Sequence, residues 1–150
     1  MKQLSNIQTY IFLFGAFIMV IGAGLKLSAD FFLLGSASAS GEILSKTGAC
    51  LFLLGTLCFA LMQISQSYEG DNLAIKRLRN IQIIGDIAFI LSGLLLIENT
   101  FRIIYPIMSA NGYYSFYVQY INNNWVVYLL IAAVLEVYTM HRIANLIKKT

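Results

Sequence analysis

Four stretches of this chain are apolar for too long to form the core of a soluble domain: Tyr10–Leu27, Gly48–Ile64, Ile81–Ile97 and Trp125–Ile143. A helix crosses the roughly 30 Å hydrocarbon layer in about 20 residues, rising 1.5 Å per residue. Each stretch therefore fits one crossing. Runs such as Ile11-Phe12-Leu13-Phe14 and Leu94-Leu95-Leu96-Ile97 do not alternate, which excludes the strand pattern of a membrane barrel. Lipid leaves backbone groups no partner but one another, so the spans are expected to be helical. Charged residues make up 11% of the 150 residues, against about 25% in a soluble domain. The fold predicted is an all-α, four-helix transmembrane bundle, a single integral membrane domain over residues 1–150 with no separate soluble part.

An even number of spans puts both termini on one side. Lys2, Lys76, Arg77, Arg79, Arg142, Lys148 and Lys149 fall there, and only Lys26, Lys46 and Arg102 fall on the other. The positive-inside rule then places both termini and the Tyr68–Asn80 connection in the cytoplasm. The cations are scattered along membrane edges and form no stripe, so a nucleic-acid partner is not expected. Ala37-Ser38-Ala39 resembles a cleavage site but lies beyond Lys26 and Asp30, too far from the first apolar run. The first span is read as a retained helix. Cys50 and Cys58 are eight residues apart on one helix, about 12 Å by helical rise and too far to bridge; they are read as core residues. With one histidine in the chain, no metal site or cofactor is expected.

Gly15 and Gly22 share a face of the first helix, and Gly48 and Gly55 repeat that spacing on the second. Small residues let backbones approach, and close packing drives helix association in lipid. These four glycines are expected to form the seam between the two helices. Residues 28–47 are expected outside the membrane, with Phe31–Leu34 dipping into the interface and Gly35–Gly41 flexible. Glu69-Gly70-Asp71-Asn72 reads as a turn. Beyond the third span, Glu98 and Arg102 have the spacing of a surface ion pair, Pro106 should stop the helix, and the aromatics of Tyr113–Trp125 should lie at the outer headgroups. Aligning Ile11–Gly15 with Ile81–Gly85 sets Gly22 opposite Ser92, and Gly55, Met62 and Gln63 opposite Ala133, Met140 and His141. That pattern suggests two hairpins in parallel repeat, as found in some transporters.

Against this background the intramembrane acids stand out, since an ionisable residue in a span costs several kcal/mol and is by default a functional-site hypothesis. Asp86 is seven residues past Arg79 and Glu136 six before Arg142, which places both about 10 Å from the cytoplasmic edge. Gln82, Asp86 and Gly93 share one helix face; Ala132, Glu136 and Thr139 share another. Gln63, near the cytoplasmic end of the second span, and His141, beside Arg142 at the membrane edge, can join a polar cluster there. The expected polar layer is thus Asp86, Glu136, Gln63, Gln82 and His141. Three uses fit it: each carboxyl is protonated, or hydrogen-bonded to Gln, Thr or a snorkelling Arg77, Arg79 or Arg142, and fixes helix register; the two acids share a proton or cation in a cavity open to the cytoplasm; or the cluster receives a partner protein's polar residue or a lipid headgroup. No catalytic or phosphate-binding motif is present. The expectation is a non-enzymatic membrane protein that self-associates or joins a membrane complex. The alternative is a small proton- or cation-linked transporter using Asp86 and Glu136.

Through Tyr68-Glu69-Gly70-Asp71-Asn72, Arg77-Leu78-Arg79, Gly85-Asp86 and Leu135-Glu136-Val137-Tyr138, the chain resembles small uncharacterised four-helix membrane proteins of Bacteroides-type bacteria. The resemblance runs from about Phe59 to Arg142. It implies a bacterial inner-membrane location and carries no activity or substrate. The small multidrug-resistance transporters match in overall shape alone, because Tyr10–Leu27 lacks their first-helix glutamate.

Overall fold

The computed structural model describes residues 6–33, 39–66 and 72–148. Over these residues the chain is helical: α1 (Asn6–Leu33), α2 (Ala39–Ile64), α3 (Leu73–Phe101), α4 (Tyr105–Ala110), α5 (Tyr114–Tyr120) and α6 (Trp125–Ile147). Four helical stretches, those carrying α1, α2, α3 and α6, are long and apolar enough to cross a membrane. The expected four-helix bundle is present, and its composition and length make the chain a multi-pass membrane protein. The main packing pairs are α1 on α2, α2 on α3 and α3 on α6.

The long helices overrun the apolar runs. α1 continues to Leu33 and α2 starts at Ala39, so most of the segment expected outside the membrane is helix. Its polar groups are satisfied within the pair: Lys26 Nζ donates to Asp30 Oδ1 at 2.6 Å and to Ser45 Oγ at 2.9 Å. Residues 34–38 lie outside the described residues, and with them most of the expected flexible stretch and cleavage-like site. The same holds for 67–71, which include most of the expected turn; Asn72 itself caps α3, its side chain accepting from the Ala74 N–H at 3.0 Å.

The glycine seam forms as expected. Gly15, Gly22, Gly48 and Gly55 are all buried between α1 and α2. A Cβ on Gly22 would sit 2.7 Å from Phe52 Cα and 2.8 Å from the Gly48 carbonyl; one on Gly55 would meet Met19 Cα and the Gly15 carbonyl at 2.7 and 2.8 Å. The two backbones are thus in direct contact. The second hairpin repeats the arrangement more loosely. A Cβ on Gly85, the counterpart of Gly15, would meet Leu135 and Glu136, as one on Gly15 meets Cys58 and Phe59. Ser92, the counterpart of Gly22, donates to the Trp125 carbonyl at 2.8 Å. In this register Glu136 occupies the place that Cys58 has in the first hairpin. Cys50 is exposed and faces away from the core, contrary to expectation, whereas Cys58 is partly buried.

Two aromatic clusters fill the bundle. Phe59 stacks on Phe12 at 4.7 Å and meets Phe89 edge-on at 5.5 Å, beside Ala88 and Ala132. Phe52 meets Trp125 edge-on at 6.0 Å, beside Ala49 and Leu96. Trp125 is therefore a core residue and not part of an outer aromatic belt.

The end of α3 departs from expectation. The helix stops at Phe101, where Arg102 turns left-handed with φ 51° and donates its N–H to the Glu98 carbonyl. Past that point no helical register carries Arg102 back to Glu98, so the expected ion pair does not form. Pro106 does not stop α3; it sits in the first turn of α4, where its missing N–H is harmless. The buried Glu98 carboxylate instead accepts from the Ile104 N–H at 2.9 Å, the Tyr105 N–H at 3.2 Å and the Tyr117 hydroxyl at 3.0 Å. It fastens α4 and α5 to the bundle, with Tyr117 buried and Tyr113, Tyr114, Phe116 and Tyr120 exposed. Glu98→Ala orphans a buried hydroxyl and should cost about 1–3 kcal/mol. Hydrogen exchange at residues 103–120 should accelerate selectively; unchanged protection there would refute the fastening role.

Candidate functional site: a buried acid pair with an inward arginine

The polar layer lies where α2 ends and α3 and α6 run past it. Gln63 is on the last turn of α2, Arg79, Gln82 and Asp86 on α3, and Glu136 on α6. Positions 79, 82 and 86 are three and seven residues apart, one stripe of a 3.6-residue helix. All five side chains are buried: Asp86 is 0% exposed, Gln63 1%, Gln82 3%, Glu136 5% and Arg79 6%. Gly93 and Thr139 are buried as well, so both predicted faces point inward.

The contacts are asymmetric. Glu136 Oε2 accepts from Gln63 Nε2 at 2.5 Å and from Gln82 Nε2 at 3.3 Å. Gln82 Oε1 in turn accepts from Arg79 at 2.6 Å. The same guanidinium donates to the backbone carbonyls of Gln63 and Gln66, the latter at 2.6 Å. Those carbonyls lie at and just past the C-terminal end of α2, where a cation is favoured. Asp86 of α3 and Glu136 of α6 are both buried in this layer and act on each other electrostatically, as Arg79 does on both. No donor among the described residues reaches Asp86 Oδ1, Asp86 Oδ2 or Glu136 Oε1.

Four of the five expected layer residues, Asp86, Glu136, Gln63 and Gln82, are thus brought together. His141 is not. It lies five residues beyond Glu136, well over a quarter turn off its face, and bonds Asn145 on the exposed side at 3.0 Å. Arg79 is the member that depth alone did not single out; its spacing to Gln82 and Asp86 was the available signal. The cations Lys76, Arg77 and Arg142 are exposed. Among the described residues no group of three or more His, Cys, Asp or Glu side chains gathers as metal ligands.

Comparison with protein-family models, curated proteins and solved structures finds no match to this chain.

Proposed function

We propose that this chain is a small proton- or cation-linked carrier of the bacterial inner membrane, with both termini cytoplasmic, and that it is not an enzyme. The observation that carries this reading is the contrast between two kinds of buried carboxylate in one molecule. Glu98 accepts from two backbone N–H groups and a tyrosine hydroxyl, as a carboxylate kept for architecture should. Asp86 is more deeply buried and accepts from no described donor, with a second acid facing it. An arrangement that serves only helix register has no use for three unpaired carboxylate oxygens in low dielectric, where each is expensive.

A proton or cation supplies what the protein withholds. Burial argues against the layer as a docking point, because a partner's side chain would first have to part α2, α3 and α6. The site also lies at the end of α2, near the connection to α3, which suits access from one side of the membrane. Proteoliposomes of the wild-type protein should dissipate an imposed pH gradient faster than empty vesicles, read with an internal pH dye. Asp86→Asn and Glu136→Gln should each return the rate to the empty-vesicle value. Wild-type vesicles no faster than empty ones would sink the carrier reading.

A further inference from the structure

The charges in the layer can be counted. Asp86 and Glu136 bring two negative charges and Arg79 one positive charge. Other ionisable groups on the packed helices do not face the layer. Lys26 and Asp30 of α1 are bonded to each other, and Glu42 and Lys46 of α2 form an exposed pair, both at the opposite end of the bundle. Lys76 and Arg77 of α3 and His141 and Arg142 of α6 are exposed. The buried set is one negative charge from neutrality, and a single added positive charge closes that gap.

A metal cation and a proton differ in what they need. A hard divalent cation takes six or more oxygen ligands, part of which water can supply, so the fixed charges around the site decide more than the number of protein oxygens. The layer offers four unpartnered oxygens, Asp86 Oδ1 and Oδ2, Glu136 Oε1 and Gln63 Oε1, while Gln82 Oε1 is spent on Arg79. The guanidinium also stands inside the cluster and cannot withdraw easily, being held by Gln82 and by the carbonyls of Gln63 and Gln66. A fixed positive charge repels a second cation. A proton is bound differently: it forms an O–H bond on one carboxylate, and that O–H donates to the carboxylate opposite.

We propose that Arg79 is the resident counterion of the Asp86–Glu136 pair, so that the site binds one proton and excludes metal cations. Protonation adds one H⁺, drawn from water, to a carboxylate oxygen; release returns it, and Arg79 balances one of the two charges left. The inference deepens the carrier reading and rests on it for its role in transport, but proton occupancy is measured without transport.

The test is an infrared titration of the purified full chain in detergent, following the C=O stretch of protonated carboxyl. In wild type the Asp86-dependent part of that band, identified with Asp86→Asn, should titrate identically with and without added sodium or magnesium chloride at fixed ionic strength. Arg79→Gln removes an opposite charge beside the pair and should move the midpoint up by about 1–3 pH units. Arg79→Lys keeps the charge but not the fork of contacts, and should return the midpoint toward wild type. A folded Arg79→Gln protein with an unmoved midpoint overturns the inference, as does Arg79→Lys behaving like Arg79→Gln. Should Arg79→Gln fail to fold, the wild-type measurement decides: a band that sodium or magnesium abolishes means a metal site. Absent flux with a normal midpoint shift would defeat the carrier reading alone.

Discussion

Gly22→Leu is expected to yield a protein whose first hairpin does not close. The seam between α1 and α2 has no room for a side chain at this position, since even a Cβ falls 2.7 Å from Phe52 Cα and 2.8 Å from the Gly48 carbonyl. Both neighbours are backbone, and no rotamer change relieves the clash. Separating the helices to admit leucine also undoes the contacts at Gly15, Gly48 and Gly55 along the same face. In lipid no hydrophobic force drives the helices back together, because association there depends on close packing. Gly22→Ala inserts one methyl and should cost about 1–3 kcal/mol, the range of an overpacked core. Gly24 supplies the control: a Cβ there meets nothing within 4 Å, so Gly24→Ala should be neutral or gain up to about 1 kcal/mol of helix propensity. Thermal unfolding in detergent separates the three variants. Gly22→Ala as stable as Gly24→Ala would show that the helices do not meet at this seam.

The glycine seam was legible in the sequence because its signal is purely local. Two pairs of small residues at the same spacing on adjacent spans specify which faces can touch, and hydropathy specifies that they lie in lipid. The acid layer was legible for a similar reason: depth along a helix follows from residue count, and Asp86 and Glu136 come out level. What failed did so where local rules lose their premise. The spacing of Glu98 and Arg102 predicts an ion pair only while the helix continues, and α3 ends between them with a left-handed residue. His141 lies next to Arg142 at the membrane edge, about 7.5 Å by helical rise from Glu136, and also at the wrong azimuth, which residue count alone cannot see. Arg79 lies in a run of cations, where charge reads as a headgroup contact; only its stripe with Gln82 and Asp86 marks it as inward. The aromatics divided on tertiary grounds: Tyr117 turns inward to a carboxylate 19 residues away, and Trp125 packs on α2.

The two acids should respond to substitution with different effects on stability, although both are needed for proton binding. Glu136→Met keeps an unbranched side chain of similar length but leaves the Gln63 and Gln82 amides without their acceptor. An orphaned buried donor costs about 1–3 kcal/mol, so this variant should be severely destabilised. Asp86→Asn orphans nothing, since Asp86 accepts from no described donor. The new amide can donate to the facing Glu136 carboxylate, and Arg79 then balances Glu136 one to one. Its stability should lie within about 1 kcal/mol of wild type or above it, because an uncompensated buried charge has been removed. Were Asp86 held by structural contacts of its own, as Glu136 is, both substitutions would destabilise alike. Equal losses in thermal unfolding would therefore remove the distinction between a structural and a proton-binding carboxyl. A stable Asp86→Asn protein that has lost its titrating band would mean instead that Asp86 is retained at the expense of stability, which is the mark of a residue kept for chemistry.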